Sequence, residues 1–584
     1  MNRYPRNRVS NSTAQLVSLV SMCLVNLTAT GSCAETGLTY EHAVVAADHE
    51  AASQAGIEIL KQGGNVVDAA VATGFALAVV RPASSGLGGG GFMVIWDARK
   101  QQAIALDYRE RAPARATRDM YVDPQDTKKI IPDIGEHGAL AVAVPGHVAG
   151  LCHALREYGS LDIATVLEPA LRLCRQGVPI DGQDISVQSD VFRDFATHPE
   201  YRDRFATLYR LYANAGKPWT KADRFHSPLT KVLELIAVHG AEGFYRGEVA
   251  EAIVAEMRSG GGLLTLADLA AIAPVVREPL RGSIGERTIL TMPPPSSGGV
   301  ALLETLNLLS AVEALHPDAA LGRQPADSGL YLHALAESFK HAFADRAAFL
   351  GDADFVKVPV SRLTSRAYAA ELAKRIDLTK TQPPEAYGRF KLPDDAGTTH
   401  FSILDAAGNA VACTETVNTL FGSYVVEPTF GIVLNNEMDD FTSLPGIPNA
   451  FGLIQSEANS IEPGKRPLSS MTPTIVIRDG KAEFVVGASG GPRIITATAQ
   501  VLLNWARFGQ SSEQAVDAFR IHHQWAPDVL ELEAAKLPQA ELERKGHKIR
   551  LRSDSAVVQA ASRTGDGRLQ GASDRRKGGR PAGY

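Results

Sequence analysis

From Arg375 to Gly397 the chain reads RIDLTKTQPPEAYGRFKLPDDAG, rich in Pro, Lys and Asp and without hydrophobic periodicity. At Thr398 the pattern changes to THFSILD-AAGN-AVACTETV, two apolar-alternating runs around a short polar break at Ala406–Asn409. Alternation with period two is the signature of a half-buried strand, and two such runs joined by a Gly/Asn-containing break predict a β-hairpin. The segment 375–397 is therefore expected to be an exposed, mobile connector. It divides a helix-rich stretch, about 145–385, from a strand-rich one.

Upstream, DHEAASQAGIEILKQGGN predicts an amphipathic helix from Glu50 to Lys61 stopped by Gly63 and Gly64. The following VVDAAVATGFALAVVRP is apolar on every side, which predicts a buried helix ending before Pro82. In SSGLGGGGFMVIWD, Gly86, Gly88 and Gly91 match G-x-G-x-x-G, but a helix precedes them and the β-rich FMVIWD follows. A dinucleotide site needs the reverse order, so that a helix N-terminus meets the pyrophosphate. The glycines read instead as close backbone packing at the entry to a strand. AIALDY continues the sheet and presents Arg109 at its end. TMPPPSSGGVALLETLNLL turns from strand through loop to helix, and KAEFVVGASGGPRIITATAQVLLNWA is a strand, a glycine turn and a helix.

Length, 584 residues, suggests two to four domains, and 45% hydrophobic with 21% charged residues describes an ordinary soluble globular chain. A net charge of −6 leaves no basic footprint for nucleic acid. The N-terminus has a short basic region, MNRYPRNR, then an apolar run from about Leu16 to Leu27, then small residues at Ser32 and Ala34. That is a secretory signal with cleavage after Ala34, too short to span a membrane, and it implies an exported, periplasmic or secreted protein. TGSC, ending at Cys33, also offers a poor match to a lipid-attachment site. Cys152, Cys174 and Cys413 remain, with neither CxxC nor zinc-like spacing, and are expected to be buried apolar residues.

Cleavage between Gly397 and Thr398 would give Thr398 both a hydroxyl and a free α-amine. With a reference pKa near 7.7–8.0, that amine can take the hydroxyl's proton, so nucleophile and base share one residue. Gly397 has no Cβ to hinder attack on its carbonyl. By itself GTTH is no more than β-propensity. Downstream, ETVNTLFG brings Thr416 and Asn418 back along the hairpin toward Thr398. LNNEMDDF places Glu437 and Asp440 three apart, suited to a substrate ammonium, and KRPLSSMTPT offers the hydroxyls of Ser469 and Ser470. GASGGPR offers Gly490 and Gly491, whose N–H groups suit an oxyanion hole. Taken singly, the acids read as a solvated face, the serines as a turn and the glycines as a bend; together, after one nucleophile, they describe a site.

These motifs, with DYRERAPARATRDMY, MPPPSSGGV, FRIHHQWAPD and the GASD…GY ending, resemble the γ-glutamyltranspeptidase family over nearly the whole chain after the leader. The resemblance implies an α+β fold, the four-layer αββα sandwich of the N-terminal nucleophile hydrolases. It implies self-cleavage into a large subunit, 35–397, and a small subunit, 398–584, which together form a heterodimer. It makes Thr398 the nucleophile, Thr416 its hydroxyl partner, and Gly490 and Gly491 the oxyanion donors. Arg109, Ser469 and Ser470 would bind the α-carboxylate of a γ-glutamyl group, and Asn418, Glu437 and Asp440 its α-ammonium. Glutathione and related donors, with amino-acid or dipeptide acceptors, are the implied substrates, and neither metal nor organic cofactor is called for. Phe451 departs from the family, whose well-known members carry tyrosine at that point of the lid loop. One alternative is an acylase of the same fold acting on glutaryl groups, which have no α-ammonium for Asp440 to bind. Another is a secreted amino-acid-binding homologue without catalysis.

Overall fold

The computed structural model describes residues 37–387, 398–453, 455–553 and 556–584. The leader, with Cys23, Cys33 and the expected cleavage point after Ala34, lies outside these residues, and so do Gly397 and the rest of 388–397.

The hairpin forms where the alternation predicts it, as strands Thr399–Asp405 and Ala410–Thr416. It sits inside a seven-stranded sheet. In spatial order the strands are Ala582–Gly583, Ala43–Ala47, Thr399–Asp405, Ala410–Thr416, Gly90–Asp97, Gln102–Asp107 and Val275–Arg277, each antiparallel to its neighbours. A second antiparallel sheet packs face to face on it. Its order is Thr39–Tyr40, Leu569–Ser573, Val557–Arg563, Lys481–Ser489, Thr474–Arg478, Arg287–Thr291 and Leu280–Ile284. Both sheets therefore interleave segments from before and after residue 398.

Both faces of the hairpin are buried, and the period of two sorts its side chains. Phe401, Ile403, Val411 and Cys413 join the core beneath helices Glu50–Lys61, Val66–Val80 and Ile163–Gln176. Leu404, Ala410 and Ala412 join Phe484 and Val486 between the sheets. A slip of one residue would push His400 and Ser402 into the apolar helix-facing layer, so burial itself holds the register. On the outer face of the second sheet lie helices Gly298–Leu315 and Arg493–Ala506, with Gly329–Phe349 packed on the former. The order helix, sheet, sheet, helix is the α+β sandwich expected.

Helix Glu50–Lys61 has the predicted bounds, with Gly63 at φ 95 just past its end. Every residue of Val66–Val80 is buried, as its all-round apolarity requires. The glycine run behaves as packing: a Cβ at Gly89 would sit 2.0 Å from the Thr416 carbonyl oxygen, and one at Gly88 would sit 2.2 Å from that of Val433. Cys174 and Cys413 are buried, while Cys152 is only partly so.

The expectation of an exposed connector holds only in part over its described half: Arg375, Thr379, Lys380, Pro383, Glu385 and Ala386 are exposed, but the segment is tied to neighbouring elements. Thr381 N–H donates to the Lys545 carbonyl (2.8 Å), Lys545 Nζ donates to the Leu378 carbonyl (2.6 Å), and the Trp525 indole donates to the Pro384 carbonyl (2.9 Å). Tyr387 donates its hydroxyl to the buried Glu337. Polar coil without periodicity looks solvated in sequence, yet here its polar groups are satisfied by neighbouring elements.

Candidate active site

Thr398 lies one residue before its strand. The register pairs Thr399 with Glu415, so Thr416 comes alongside, and the two hydroxyl oxygens are 3.3 Å apart. Thr416 Oγ1 also accepts the Asn418 N–H at 2.8 Å, which ties it to the turn that follows. Asn418 adopts φ 80, a left-handed conformation that asparagine tolerates better than most residues. The Thr398 carbonyl accepts from Lys577 Nζ at 2.9 Å, and the same ammonium donates to Asp48 Oδ2 at 2.7 Å. Asp48, fully buried, also accepts from Thr399 Oγ1 (2.7 Å) and Gln559 Nε2 (2.6 Å). Residues far apart in sequence thus fix the backbone on either side of the hydroxyl.

A small cavity opens at Thr398. It is lined by Thr416, Arg109, Asn418, Glu437, Asp440, Ser469, Ser470 and Gly491, with Phe451 over them. Of the ten site residues expected from sequence, nine line it. Gly490 does not; it stands one residue behind, against Ala556. Gly490 (φ 128) and Gly491 (φ 53) form the turn between strand Lys481–Ser489 and helix Arg493–Ala506. Among the described residues neither N–H donates a hydrogen bond. A Cβ at Gly491 would meet the Phe451 ring at 2.7 Å, so this turn admits only glycine beneath the lid.

Arg109 leaves the end of strand Gln102–Asp107 and is almost fully buried. Its guanidinium pairs with Glu437 and, at 2.5 Å, with Asp440 Oδ2, and its Nε donates to the Pro467 carbonyl at 3.2 Å. The expected carboxylate binder and the expected ammonium binders thus meet one another directly. Glu110, which the sequence reading passed over, is buried with an oxygen 3.7 Å from Arg109 Nη1. Burial pushes its carboxyl up to about 7 and that of Glu437 well above the usual range, although Arg109 pulls both down. Three buried acids crowd one guanidinium, and burial raises all three carboxyls, with mutual repulsion adding to it at Glu110 and Glu437.

The lid bears on one of these acids, Asp440, and on its neighbour Asp439. Asn449 Nδ2 donates to Asp440 Oδ1 and the Ala450 N–H to Asp439 Oδ2, each at 2.9 Å. The serine pair is held from behind by the MPPPSSGG loop: the Ser469 carbonyl accepts from Ser297 N (2.7 Å) and Ser297 Oγ (2.6 Å). Arg346 and Ser297 were also missed. Arg346 offers no sequence signal beyond a cation among the apolar residues of a buried helix, and the lid contacts and the Lys577 bridge join residues with no local pattern at all.

Chemically, the cavity presents a hydroxyl at its floor, paired with a second hydroxyl and near two undonated N–H groups, beside a cluster of opposite charges that suits an amino-acid zwitterion. Comparison with known proteins agrees. The sequence model of the family described as Gamma-glutamyltranspeptidase matches residues 52–584. A glutathione hydrolase proenzyme of Escherichia coli (strain K12) is 42% identical over 540 residues, covering 91% of this chain and 90% of that protein. The crystal structure of a cephalosporin acylase from Bacillus halodurans superposes with TM-score 0.82 at 27% identity, covering 96% of this chain and 99% of that one. A γ-glutamyltranspeptidase from Pseudomonas nitroreducens gives TM-score 0.51 at 36% identity, covering 58% of this chain and 95% of that one.

Proposed function

The chain belongs to the γ-glutamyltranspeptidase family, and from that premise and the geometry of the cavity we infer that it transfers or hydrolyses γ-glutamyl groups, with glutathione as donor. The observation that carries this is the convergence of Thr398, Thr416 and the Arg109–Glu437–Asp440 cluster on one cavity. A donor's α-carboxylate takes up Arg109 with Ser469 and Ser470, and its α-ammonium takes up Asn418, Glu437 and Asp440. The γ-carbonyl then lies at Thr398.

The precursor cuts itself between Gly397 and Thr398. The new α-amine of Thr398 accepts the hydroxyl proton as Oγ1 attacks the γ-carbonyl carbon. The N–H groups of Gly490 and Gly491 hold the oxyanion. Collapse expels the amine, cysteinylglycine in the case of glutathione, which leaves with the proton. Water or the amine of an amino-acid or dipeptide acceptor then attacks the γ-glutamyl ester. The two pieces, 35–397 and 398–584, stay together as a heterodimer, a reading supported by strands of both in each sheet. The basic and apolar N-terminal run supports export to the periplasm or medium, with cleavage after Ala34.

A denaturing gel of purified protein should show two bands, the smaller beginning Thr-Thr-His-Phe-Ser, and Thr398→Ala should leave a single uncut, inactive chain. A single persistent band from the unsubstituted protein would overturn the self-cleavage. Faster turnover of a glutaryl anilide than of γ-glutamyl-p-nitroanilide would instead favour an acylase, the reading suggested by the Bacillus halodurans likeness.

A further inference from the structure

Arg346 lies on helix Gly329–Phe349 and is 1% exposed. Its neighbours are unusual for a buried guanidinium. Nε donates to Ser297 Oγ at 2.9 Å, and Nη2 reaches Ser470 Oγ at 3.5 Å. Among the described residues no carboxylate pairs with it, and its buried Nη1 has no hydrogen-bond partner. Burial pushes it down to about 10, against support from Asp440, so it keeps its charge at neutral pH. A lone buried cation is expensive, and it persists where something anionic comes near.

Arg109, by contrast, is already matched by Glu437 and Asp440. A donor that brings one carboxylate and one ammonium meets a cluster whose obvious cation is spoken for. Arg346 stands beside Ser470, one of the two hydroxyls expected to receive that carboxylate. Through Ser297 Oγ, which donates to the Ser469 carbonyl, it also braces the loop that carries them. Where Ser470 Oγ accepts from Arg346, its own proton is left to point into the cavity.

We propose that Arg346 is a positioning residue for the donor's α-carboxylate, aligning Ser469 and Ser470 from behind and supplying positive charge that Arg109 shares with the acids. This rests on the reading that the cavity holds a γ-glutamyl group. A merely structural arginine would affect all donors alike; this one distinguishes donors by a single functional group.

The test compares kcat/KM for γ-glutamyl-p-nitroanilide with that for 4-aminobutyryl-p-nitroanilide, which keeps the amine and lacks the α-carboxylate. Rates are taken per cleaved site, counted on a gel. Arg346→Gln should lower the ratio of the two about tenfold, the scale of one charge-assisted hydrogen bond. Ser297→Ala, a milder change that removes only the bracing hydroxyl, should lower it about threefold and serves if the first variant does not fold. An unchanged ratio, whether both donors lose equally or neither does, overturns the proposal. Failure of the unsubstituted enzyme on γ-glutamyl-p-nitroanilide would instead overturn the functional reading beneath it.

Discussion

Lys577→Met isolates the network that holds the nucleophile's backbone. Lys577 Nζ bridges Asp48 Oδ2 at 2.7 Å and the Thr398 carbonyl at 2.9 Å, with the carboxylate fully buried and the lysine 7% exposed. Methionine fills the stem's volume but leaves Asp48 as an uncompensated buried charge, which costs about 3–5 kcal/mol. Unfolding entropy of about 2.1 cal/mol/K per residue means that a chain of 584 residues shifts by about 0.8 °C per kcal/mol, so the melting temperature should fall by about 2–4 °C. Adding Asp48→Asn should recover part of the loss. The neutral amide still accepts from Gln559 Nε2, and the Thr399 hydroxyl reverses to accept from it; what is not recovered is the Lys577 donor to the Thr398 carbonyl, at about 1–3 kcal/mol. Calorimetry at one scan rate should therefore rank wild type above the double variant and the double above Lys577→Met. Loss of the Lys577 donor to the Thr398 carbonyl should also lower kcat on γ-glutamyl-p-nitroanilide by about tenfold or more, since small displacements of a reacting group are costly. A single variant melting within about 1 °C of wild type, or a double variant melting below the single, would refute the reasoning.

Asp440→Asn keeps the shape and removes the charge that Arg109 and Asn449 share. It should cut kcat/KM on γ-glutamyl-p-nitroanilide by about 2–5 kcal/mol in equivalent barrier while sparing a glutaryl anilide, and equal losses would argue against ammonium binding there. His400 donates and accepts among Thr414 and Ser402, and burial holds its pKa down to about 3. Between that value and 6.5 the unfolded imidazole binds a proton that the native one refuses, so its contribution to stability falls as pH falls through this window. His400→Gln should accordingly be less stable than wild type at pH 7.5, with the gap in unfolding free energy from urea titrations closing by about 1.4 kcal/mol per pH unit below 6.5; a constant gap would contradict the assignment. Phe451→Tyr would place a hydroxyl over a cavity that Asn418 also lines, and it should raise transfer relative to hydrolysis when product ratios are measured with a dipeptide acceptor.

Much of this was readable from local pattern. The hairpin, the two opening helices and the strand–glycine–helix unit at Gly490–Gly491 were legible because side-chain period reports burial, and their bounds hold in the fold. The described half of the connector, exposed in part but tied down by hydrogen bonds, was only half legible for the same reason: polar coil has no period, whether water or protein satisfies its polar groups. Residue types nominated Thr398, Glu437, Asp440 and the serine pair only in combination, since an ammonium and an acyl carbon each call for a limited set of partners, whereas the role of Arg109 came from the family resemblance.

The sequence by itself determined the alternation that buries Thr398's strand on both faces, and the chemical inventory of the cavity. Only the tertiary structure decided that Arg109 spends its charge on Glu437 and Asp440, that Lys577 and Asp48 pin the nucleophile's backbone, and that Arg346, with no carboxylate partner among the described residues, stands beside Ser470. Periodicity is a property of neighbours along the chain. The pairing of buried charges depends instead on distances set when remote strand ends and loops pack together, and no local pattern encodes those distances.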